Sequence, residues 1–312
     1  MSEASFACAS LIKEIGRGAK GARALSGVDA EALYAAMLDG RVDDLSLGAI
    51  VMAYRIKGET AEELAGMYRA AQRSLRALTL PDGRRGVSIP SYNGARKQAN
   101  LTPLLGLLLA RHGVPVLIHG VRRDSGRVTT AEILARLGHA PAGSRVEAET
   151  ALASAALAFL PIDVLSAPLA RLLALRERLG VRNTTHTLVK LLQPFAQPGL
   201  RLVNYTHPAY RDSLAALFSE HPAVGAGDVL LARGTEGEAV ADTRRQVRTD
   251  WFRDGVTGVL VEASARAQTP ASLPALDAAS TADWTQAVLD GRAAAPANLL
   301  RQVDDIVALL SR

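Results

Sequence analysis

Two short segments of this 312-residue chain carry groups that could bind an anion. The first is SYNGARK at residues 91–97, and the second is IHGVRR at residues 118–123. Each stands at the end of a predicted strand, where α/β proteins place loops whose backbone amides bind phosphate. Both segments lack the glycine clusters and acidic groups of a phosphate-processing site, and arginines stand in their place. The sequence therefore predicts anion binding without the groups that catalysis needs.

The composition is that of an ordinary globular protein, with 48% hydrophobic residues and a mean hydropathy of +0.10. The longest apolar run, residues 101–118, is interrupted by two prolines, an arginine and a histidine, so it does not predict a membrane span. No basic segment precedes an apolar core at the N-terminus, which argues against a signal peptide. The single cysteine, Cys8, excludes an internal disulfide and fits a reducing compartment. We therefore expect a cytoplasmic protein without a membrane partner.

Positive charge is concentrated in one part of the chain. The net charge is +5 and the pI is about 9.6, and residues 76–127 contain nine basic and two acidic residues. This segment carries more net positive charge than the whole chain. Arginines outnumber lysines by 31 to five, which a GC-rich genome would also produce, but codon usage does not explain the clustering. The asymmetry favours an anionic partner.

The first 78 residues have the pattern of a helical domain. Apolar residues recur at helical spacing after an N-cap candidate, Asp29, and again over residues 46–56. A third helix is predicted from Thr60, where Glu63 completes a capping box. The segment TLPDG at residues 79–83 breaks this pattern. We therefore predict a helical domain at residues 1–78 and a second domain at residues 79–312.

Strands alternate with helices in the second domain. The predicted strands lie at residues 87–90, 114–118, 157–160, 200–205 and 228–232. The predicted helices lie at residues 102–111, 129–137, 168–179, 210–219, 283–289 and 298–310, with a loop over residues 266–280. Such alternation predicts the α/β fold class, with a mostly parallel central sheet covered on both faces.

Several of these segments resemble a known family. Residues 29–39, 46–53 and 57–66 are similar to the N-terminal helical domain of anthranilate phosphoribosyltransferases, an architecture shared with pyrimidine nucleoside phosphorylases. The resemblance extends over nearly the whole chain, and residues 12–23 resemble the leader of a divergent, nucleic-acid-binding branch of this glycosyltransferase family 3 superfamily. It implies a helical domain joined to a larger α/β domain, and a two-fold dimer formed through the helical domain.

The catalytic motifs of that family are degenerate in this chain. The Gly-Thr-Gly-Gly-Asp loop that binds phosphoribosyl pyrophosphate corresponds to residues 91–97, and Ile118 replaces a phosphate-binding lysine. The Asp-Glu pair that holds magnesium would fall near residues 233–238, where Glu236 and Glu238 are not adjacent. The resemblance implies a remnant substrate cleft with these residues: Gly94, Asn100, Thr102, His119, Gly120 and Arg182. We expect no catalytic residue, no metal and no cofactor, with magnesium required only if transferase activity persists.

Simpler structural roles exist for the same residues. His119 could be a strand-end histidine whose ring is hydrogen-bonded by backbone groups, and Glu236 and Glu238 could lie in a solvated loop. Arg182 could be an ion-pair partner as easily as a substrate ligand. Four N-terminal cations recur at steps of four, three and three, which predicts one stripe on a helical face: Lys13, Arg17, Lys20 and Arg23.

The clustered cations favour binding to nucleic-acid phosphates, because arginine binds phosphate oxygens in bidentate fashion. Besides the N-terminal four, the candidate residues are Arg84, Arg85, Arg96, Lys97, Arg122, Arg123, Arg127, Arg244, Arg245 and Arg248. No base-reading motif accompanies them, so we expect DNA or RNA to be bound without sequence preference. Two alternatives remain open. One is a glycosyl- or phosphoribosyltransferase that uses phosphoribosyl pyrophosphate and magnesium on an unknown acceptor, and the other is an interaction protein with an acidic protein partner.

Overall fold

The computed structural model describes residues 5–18, 20–80, 83–264 and 272–311. Its N-terminal part is a helical bundle of α1 (Ala9–Ile15), α2 (Gly27–Asp39), α3 (Asp44–Lys57) and α4 (Ala61–Arg73). Ser26, Asp43 and Thr60 each begin a helix, because their side chains accept a hydrogen bond from the backbone N–H three residues later. The predicted capping box of Thr60 and Glu63 is confirmed, whereas the N-cap of α2 is Ser26 and not Asp29.

The basic N-terminal segment does not form one helical stripe, so that prediction is wrong. Helix α1 ends at Ile15, and Gly16 and Gly18 follow it, the latter with a φ of +81°. Lys13 lies on the helix, and the other three cations lie beyond its end: Arg17, Lys20 and Arg23. Glycine favours a turn here because it loses more backbone entropy in a helix than any other residue.

The rest of the described chain is built on a seven-stranded sheet. Its strands are β1 (Val87–Ser91), β2 (Val116–Gly120), β3 (Leu157–Pro161), β4 (Leu200–Tyr205), β5 (Asp228–Arg233), β6 (Thr249–Arg253) and β7 (Val256–Val261). The order is β3-β2-β1-β4-β5-β6-β7, with β1 to β5 parallel and the last two strands antiparallel. The strand order reverses between β1 and β4, and α/β proteins bind ligands in the crevice at the carboxyl ends of such strands.

Helices cover both faces of this sheet. They are α5 (Thr102–Arg111), α6 (Thr130–Arg136), α7 (Arg145–Ala155), α8 (Ile162–Leu165), α9 (Ala167–Leu179), α10 (Thr185–Leu188), α11 (Pro208–Glu220), α12 (Ala278–Leu289) and α13 (Ala297–Leu310). Leu117 and Val203 face the core that the sheet shares with the N-terminal bundle. Ile118 and Leu202 face the opposite core, which includes residues of α5 and α13. Successive residues of a strand thus enter different cores, as strand geometry requires.

The predicted fold class is confirmed, and the parallel strands lie within two residues of their predicted positions. The hairpin of β6 and β7 was not predicted, because β6 carries charged residues and β7 is largely exposed at the sheet edge. Of the predicted loop at residues 266–280, residues 266–271 lie outside the described residues, and α12 begins earlier than predicted, at Ala278. No helix in the described part of the chain is both long enough and apolar enough to span a membrane.

Candidate phosphate-binding cleft

The loop that follows β1 packs tightly against the loop that follows β5. The side-chain amide of Asn93 donates a hydrogen bond to the Gly237 carbonyl oxygen at 2.8 Å. A Cβ atom on Gly237 would lie 1.7 Å from the Asn93 Nδ2 atom, so a larger residue would push the loops apart. This approach brings two glutamates of the second loop against the backbone of the first.

Glu238 occupies the backbone amides at the start of the β1 loop. Its carboxylate accepts hydrogen bonds from the N–H groups of Asn93 at 2.9 Å and Gly94 at 2.7 Å, while the Thr102 hydroxyl lies 3.4 Å from its other oxygen. Burial raises the pKa of the Glu238 carboxyl, and the hydrogen bonds and the charge of Lys190 act in the opposite direction. The expectation of a solvated loop is wrong for Glu238, because its exposed fraction is 1%.

Glu236 occupies the next two amides of the same loop. Its half-buried carboxylate accepts hydrogen bonds from the N–H groups of Arg96 at 2.8 Å and Lys97 at 2.9 Å. Magnesium needs carboxylate oxygens that are free to coordinate it, and both carboxylates here are engaged by amides. Among the described residues, no group of three His, Cys, Asp or Glu side chains is placed to hold a metal ion. The residues present therefore do not fit the magnesium site of a phosphoribosyltransferase.

Three residues predicted to line a remnant cleft hold the β1 loop in shape. The Asn100 side chain donates to the Thr130 hydroxyl at 3.0 Å and accepts from the Thr102 backbone N–H at 3.1 Å. Gly94 has a φ of +64°, and a Cβ atom there would lie 2.8 Å from the Val128 carbonyl oxygen. These contacts give Gly94, Asn100 and Thr102 a structural role in the loop.

His119 and Gly120 lie inside the sheet. The His119 ring is 1% exposed and hydrogen-bonds through Nδ1 to the Tyr92 hydroxyl at 2.7 Å and through Nε2 to the Ser88 hydroxyl at 3.1 Å. Its partners are thus side chains and not the expected backbone groups. Burial lowers the pKa of His119 to about 3, so the ring is neutral near pH 7. A Cβ atom on Gly120 would lie 1.7 Å from the Ser91 carbonyl oxygen, so glycine permits the close approach of β1 and β2.

A cleft of about 300 Å³ lies between α3 and the carboxyl end of β4. Among the predicted cleft residues, Arg182 lines it, together with His186 and Lys190. Burial lowers the pKa of all three side chains, to about 8 for Lys190 and to about 3 for His186. Arg182 forms no ion pair with a described residue, so the ion-pair role considered for it is absent. The cleft therefore offers cationic and neutral hydrogen-bond donors to a small ligand.

Two buried polar atoms in the walls of this cleft have no hydrogen-bond partner among the described residues: Tyr54 Oη and Asn204 Nδ2. The other side-chain atom of Asn204, Oδ1, accepts a hydrogen bond from Lys190 Nζ at 3.0 Å. Burying an unpaired polar group destabilises a fold, so such groups commonly await a ligand or a water molecule. Sequence reasoning missed both residues, because each lies within an apolar segment that predicts only core packing.

The fourteen predicted nucleic-acid-binding cations fall into three groups. Seven lie within 4 Å of a carboxylate: Arg17 and Arg23 (Glu14), Arg85 (Asp228), Arg122 (Asp163), Arg244 and Arg245 (Asp242), and Arg248 (Asp250 and Glu262). Six are exposed and lack an acidic partner among the described residues: Lys13, Lys20, Arg84, Arg96, Lys97 and Arg123. Arg127 is half-buried and donates to the Gly94 carbonyl oxygen at 3.3 Å. The positive surface therefore depends on fewer residues than the sequence suggests.

Known proteins share the sequence and the architecture of this chain. A family model described as "Glycosyl transferase family, helical bundle domain" matches residues 9–75. The protein YbiB of Escherichia coli (strain K12) is 43% identical over 94% of this chain and 91% of its own length. The anthranilate phosphoribosyltransferase of Rhizobium meliloti (strain 1021) is 31% identical over 86% of this chain and 79% of its own length. The domain boundary after residue 78 stays a prediction.

Solved structures show the same fold. The anthranilate phosphoribosyltransferase of Thermus thermophilus matches with a TM-score of 0.69 and 24% identity, covering 96% of this chain and 86% of that one. The enzyme of Saccharomyces cerevisiae in complex with PRPP and Mg matches with a TM-score of 0.62 and 16% identity, covering 95% of this chain and 91% of that one. The chain is therefore a YbiB homologue and belongs to the anthranilate phosphoribosyltransferase-like superfamily.

Proposed function

We propose that this chain binds the phosphates of nucleic acid and does not transfer phosphoribosyl groups. The observation that carries the proposal is the occupation of the β1 loop by Glu238 and Glu236. A pyrophosphate group bound at the amides of Asn93 and Gly94 would meet the buried Glu238 carboxylate, and magnesium would find no free acidic pair to offset their repulsion. The family fold is kept, but the site for its substrate is filled by the chain itself.

The six exposed and unpaired cations support a polyanionic ligand. Arg96 and Lys97 lie on the β1 loop and Arg123 lies on the loop after β2, so both loops present positive charge at the carboxyl ends of neighbouring strands. Neutralising backbone phosphates releases counterions, which gives strong and salt-sensitive affinity. Contacts to the backbone alone carry no sequence information, so DNA and RNA of many sequences would be bound alike.

A second copy of the chain would extend this surface. Helix α3 exposes apolar side chains at Leu45, Ala49, Met52 and Ile56, which share one helical face, and Leu45 is 86% exposed. An exposed apolar stripe of this kind supports the predicted homodimer. Helix α1, which carries Lys13, packs beside α3, so dimerisation would bring the basic N-terminal segments of two copies near one interface. The cytoplasmic location also stays a prediction.

Phosphoribosyl transfer is a second candidate function, favoured by two observations. The similarity to anthranilate phosphoribosyltransferases covers most of the chain, and the cleft of about 300 Å³ lined by Arg182, His186 and Lys190 has room for a small acceptor. Activity of this kind would require phosphoribosyl pyrophosphate and magnesium. It would also require the two glutamates to leave the β1 loop.

Two assays on the same preparation separate the candidates. The first measures fluorescence anisotropy of a labelled oligonucleotide of about 20 nucleotides and arbitrary sequence near about 150 mM salt. The second measures the consumption of phosphoribosyl pyrophosphate in the presence of magnesium and anthranilate. We expect binding in the first assay and no turnover in the second. Turnover without oligonucleotide binding would instead establish the transferase.

A further inference from the structure

Glu236 stands at the tip of a two-residue turn. Thr235 and Glu238 exchange backbone hydrogen bonds of 3.0 Å in both directions, which closes a hairpin around Glu236 and Gly237. Both central residues have positive φ values, of 54° and 89°. Such a turn favours asparagine or aspartate followed by glycine, so a glutamate at its first central position is strained. The chain therefore holds this carboxylate in place despite an unfavourable backbone conformation.

Glu236 covers two backbone amides that have the geometry of an anion-binding pair. Consecutive N–H groups of Arg96 and Lys97 point at its two carboxylate oxygens, one to each, at 2.8 Å and 2.9 Å. Paired backbone amides of this kind bind phosphate oxygens equally well. The side chains of Arg96 and Lys97 are exposed and have no acidic partner among the described residues, so they add two cations beside the amides.

Glu236 differs from Glu238 in how firmly it is held. Glu238 is buried and also lies near the Thr102 hydroxyl, whereas Glu236 is half-exposed and its carboxylate accepts hydrogen bonds from the two amides. Two hydrogen bonds at a half-exposed position thus hold the Glu236 carboxylate, whereas the Glu238 carboxylate is held inside the protein. Glu236 is therefore the removable part of the arrangement, and Glu238 is the fixed part.

We propose that the amides and side chains of Arg96 and Lys97 form a phosphate site, which Glu236 occupies in the free protein and leaves when a phosphate group binds. The inference rests on the proposed function for the source of the phosphate, which is the nucleic-acid backbone. A free phosphate ion has the same recognition chemistry. Glu236 then acts as a competitor that lowers affinity until a ligand with enough phosphate contacts displaces it.

The test compares Glu236→Gln with Glu220→Gln, which makes the same charge change at an exposed residue at the end of α11. A second variant, Glu236→Gly, removes the side chain at a position whose positive φ suits glycine. Each protein is titrated with a labelled oligonucleotide and with inorganic phosphate. We expect the Glu236 variants to bind one or both probes on the order of tenfold more tightly than Glu220→Gln.

The outcomes are distinguishable. If the Glu236 variants bind the oligonucleotide more tightly than Glu220→Gln does, the site binds backbone phosphate. If their affinity increases for inorganic phosphate alone, the site binds a free phosphate group. Equal affinities of both Glu236 variants and Glu220→Gln for both probes would overturn the inference. If the unaltered protein binds the oligonucleotide in that case, the proposed function stands without this site. If no protein binds the oligonucleotide but the Glu236 variants gain phosphate affinity, the site stands and the proposed function fails.

Discussion

The Glu238 carboxylate lies 2.7 Å from the backbone nitrogen of Gly94, so a side chain from the loop after β5 holds the turn after β1. This contact joins two strands that are not neighbours, because β4 lies between them. The resemblance drawn from the sequence makes this turn the counterpart of the loop that binds phosphoribosyl pyrophosphate in the related enzymes. The same bond thus stabilises the fold, and under the proposed function it keeps the amide of Gly94 from binding a substrate phosphate.

Replacing Glu238 tests the structural part of this account. Glu238→Ala leaves the buried N–H groups of Asn93 and Gly94 without an acceptor, so we expect a loss of about 3 kcal/mol in the free energy of unfolding. Glu238→Gln keeps one acceptor oxygen and should lower the free energy of unfolding by about 1 kcal/mol. Urea denaturation measures both values. The exposed control Glu177→Ala on α9 should stay within about 0.5 kcal/mol of the unaltered protein, and an equally small effect at Glu238 would contradict the role given to it.

The buried histidine predicts a pH dependence of stability. The pKa of His119 is about 3 in the folded protein and has its ordinary value of 6.5 in the unfolded chain. Below pH 6.5 the unfolded chain binds a proton that the folded protein does not. The free energy of unfolding therefore falls as the pH falls from 6.5 towards 3, and the contribution of His119 to stability is fully present above pH 6.5. The expected loss from this residue at pH 5 is about 2 kcal/mol.

His119→Asn isolates that contribution, because other groups titrate in the same range. The free energy of unfolding is measured for both proteins between about pH 5 and pH 8. The variant should lose stability less steeply than the unaltered protein as the pH falls. Parallel curves would show that the His119 ring does not remain neutral in the folded protein.

Arg201 is a fully buried cation whose charge faces carbonyl groups instead of a carboxylate. Its guanidinium donates to the carbonyl oxygens of Leu191 at 2.6 Å and Val224 at 2.7 Å. Arg201→Met leaves these acceptors unpaired and should lower the free energy of unfolding by about 3 kcal/mol. Arg233→Met is the matched control, since Arg233 is exposed on the neighbouring strand. Equal and small effects in urea denaturation would contradict the structural role of Arg201.

Arg123 tests the surface proposed to bind nucleic acid. Arg123→Glu reverses an exposed, unpaired charge at the loop after β2, so oligonucleotide affinity should fall roughly tenfold, and alike for unrelated sequences. The slope of log affinity against log salt should decrease by about one. Arg292→Glu makes the same charge change beyond α12, where Arg292 pairs with Asp290. If both variants weaken binding equally in an anisotropy assay, net charge and not this loop determines the affinity.

Much of the fold follows from local sequence patterns. The run of residues 102–111 predicts α5, and the apolar runs at residues 116–118 and 229–232 predict β2 and β5, because buried parallel strands have continuous apolar sequences. The antiparallel hairpin was not predicted, because the β6 sequence TDWFR has no such run and the apolar residues of β7, at the sheet edge, are interrupted by Thr257 and Gly258. The N-terminal stripe failed for a local reason, since the glycines that follow Ile15 end the helix.

The site was harder to predict than the fold, because its central contacts join residues far apart in the chain. Glu238 and Gly94 are 144 positions apart, and nothing near either residue indicates the other. A glutamate in a glycine-rich loop normally predicts a solvated side chain, whereas here the loop is pressed against buried amides. The buried position of Arg201 was not predicted for the same reason, because its carbonyl partners come from two separate segments. Long-range backbone contacts of this kind leave no local pattern in a sequence.

The salt dependence of oligonucleotide binding tests the central claim most directly. If the chain binds nucleic-acid phosphates, the logarithm of the affinity falls linearly with the logarithm of the salt concentration, with a slope of several units and the same slope for unrelated sequences. Anisotropy titrations between about 50 and 200 mM salt measure it. An absence of binding across this range, or an affinity that does not change with salt, would contradict binding through phosphates.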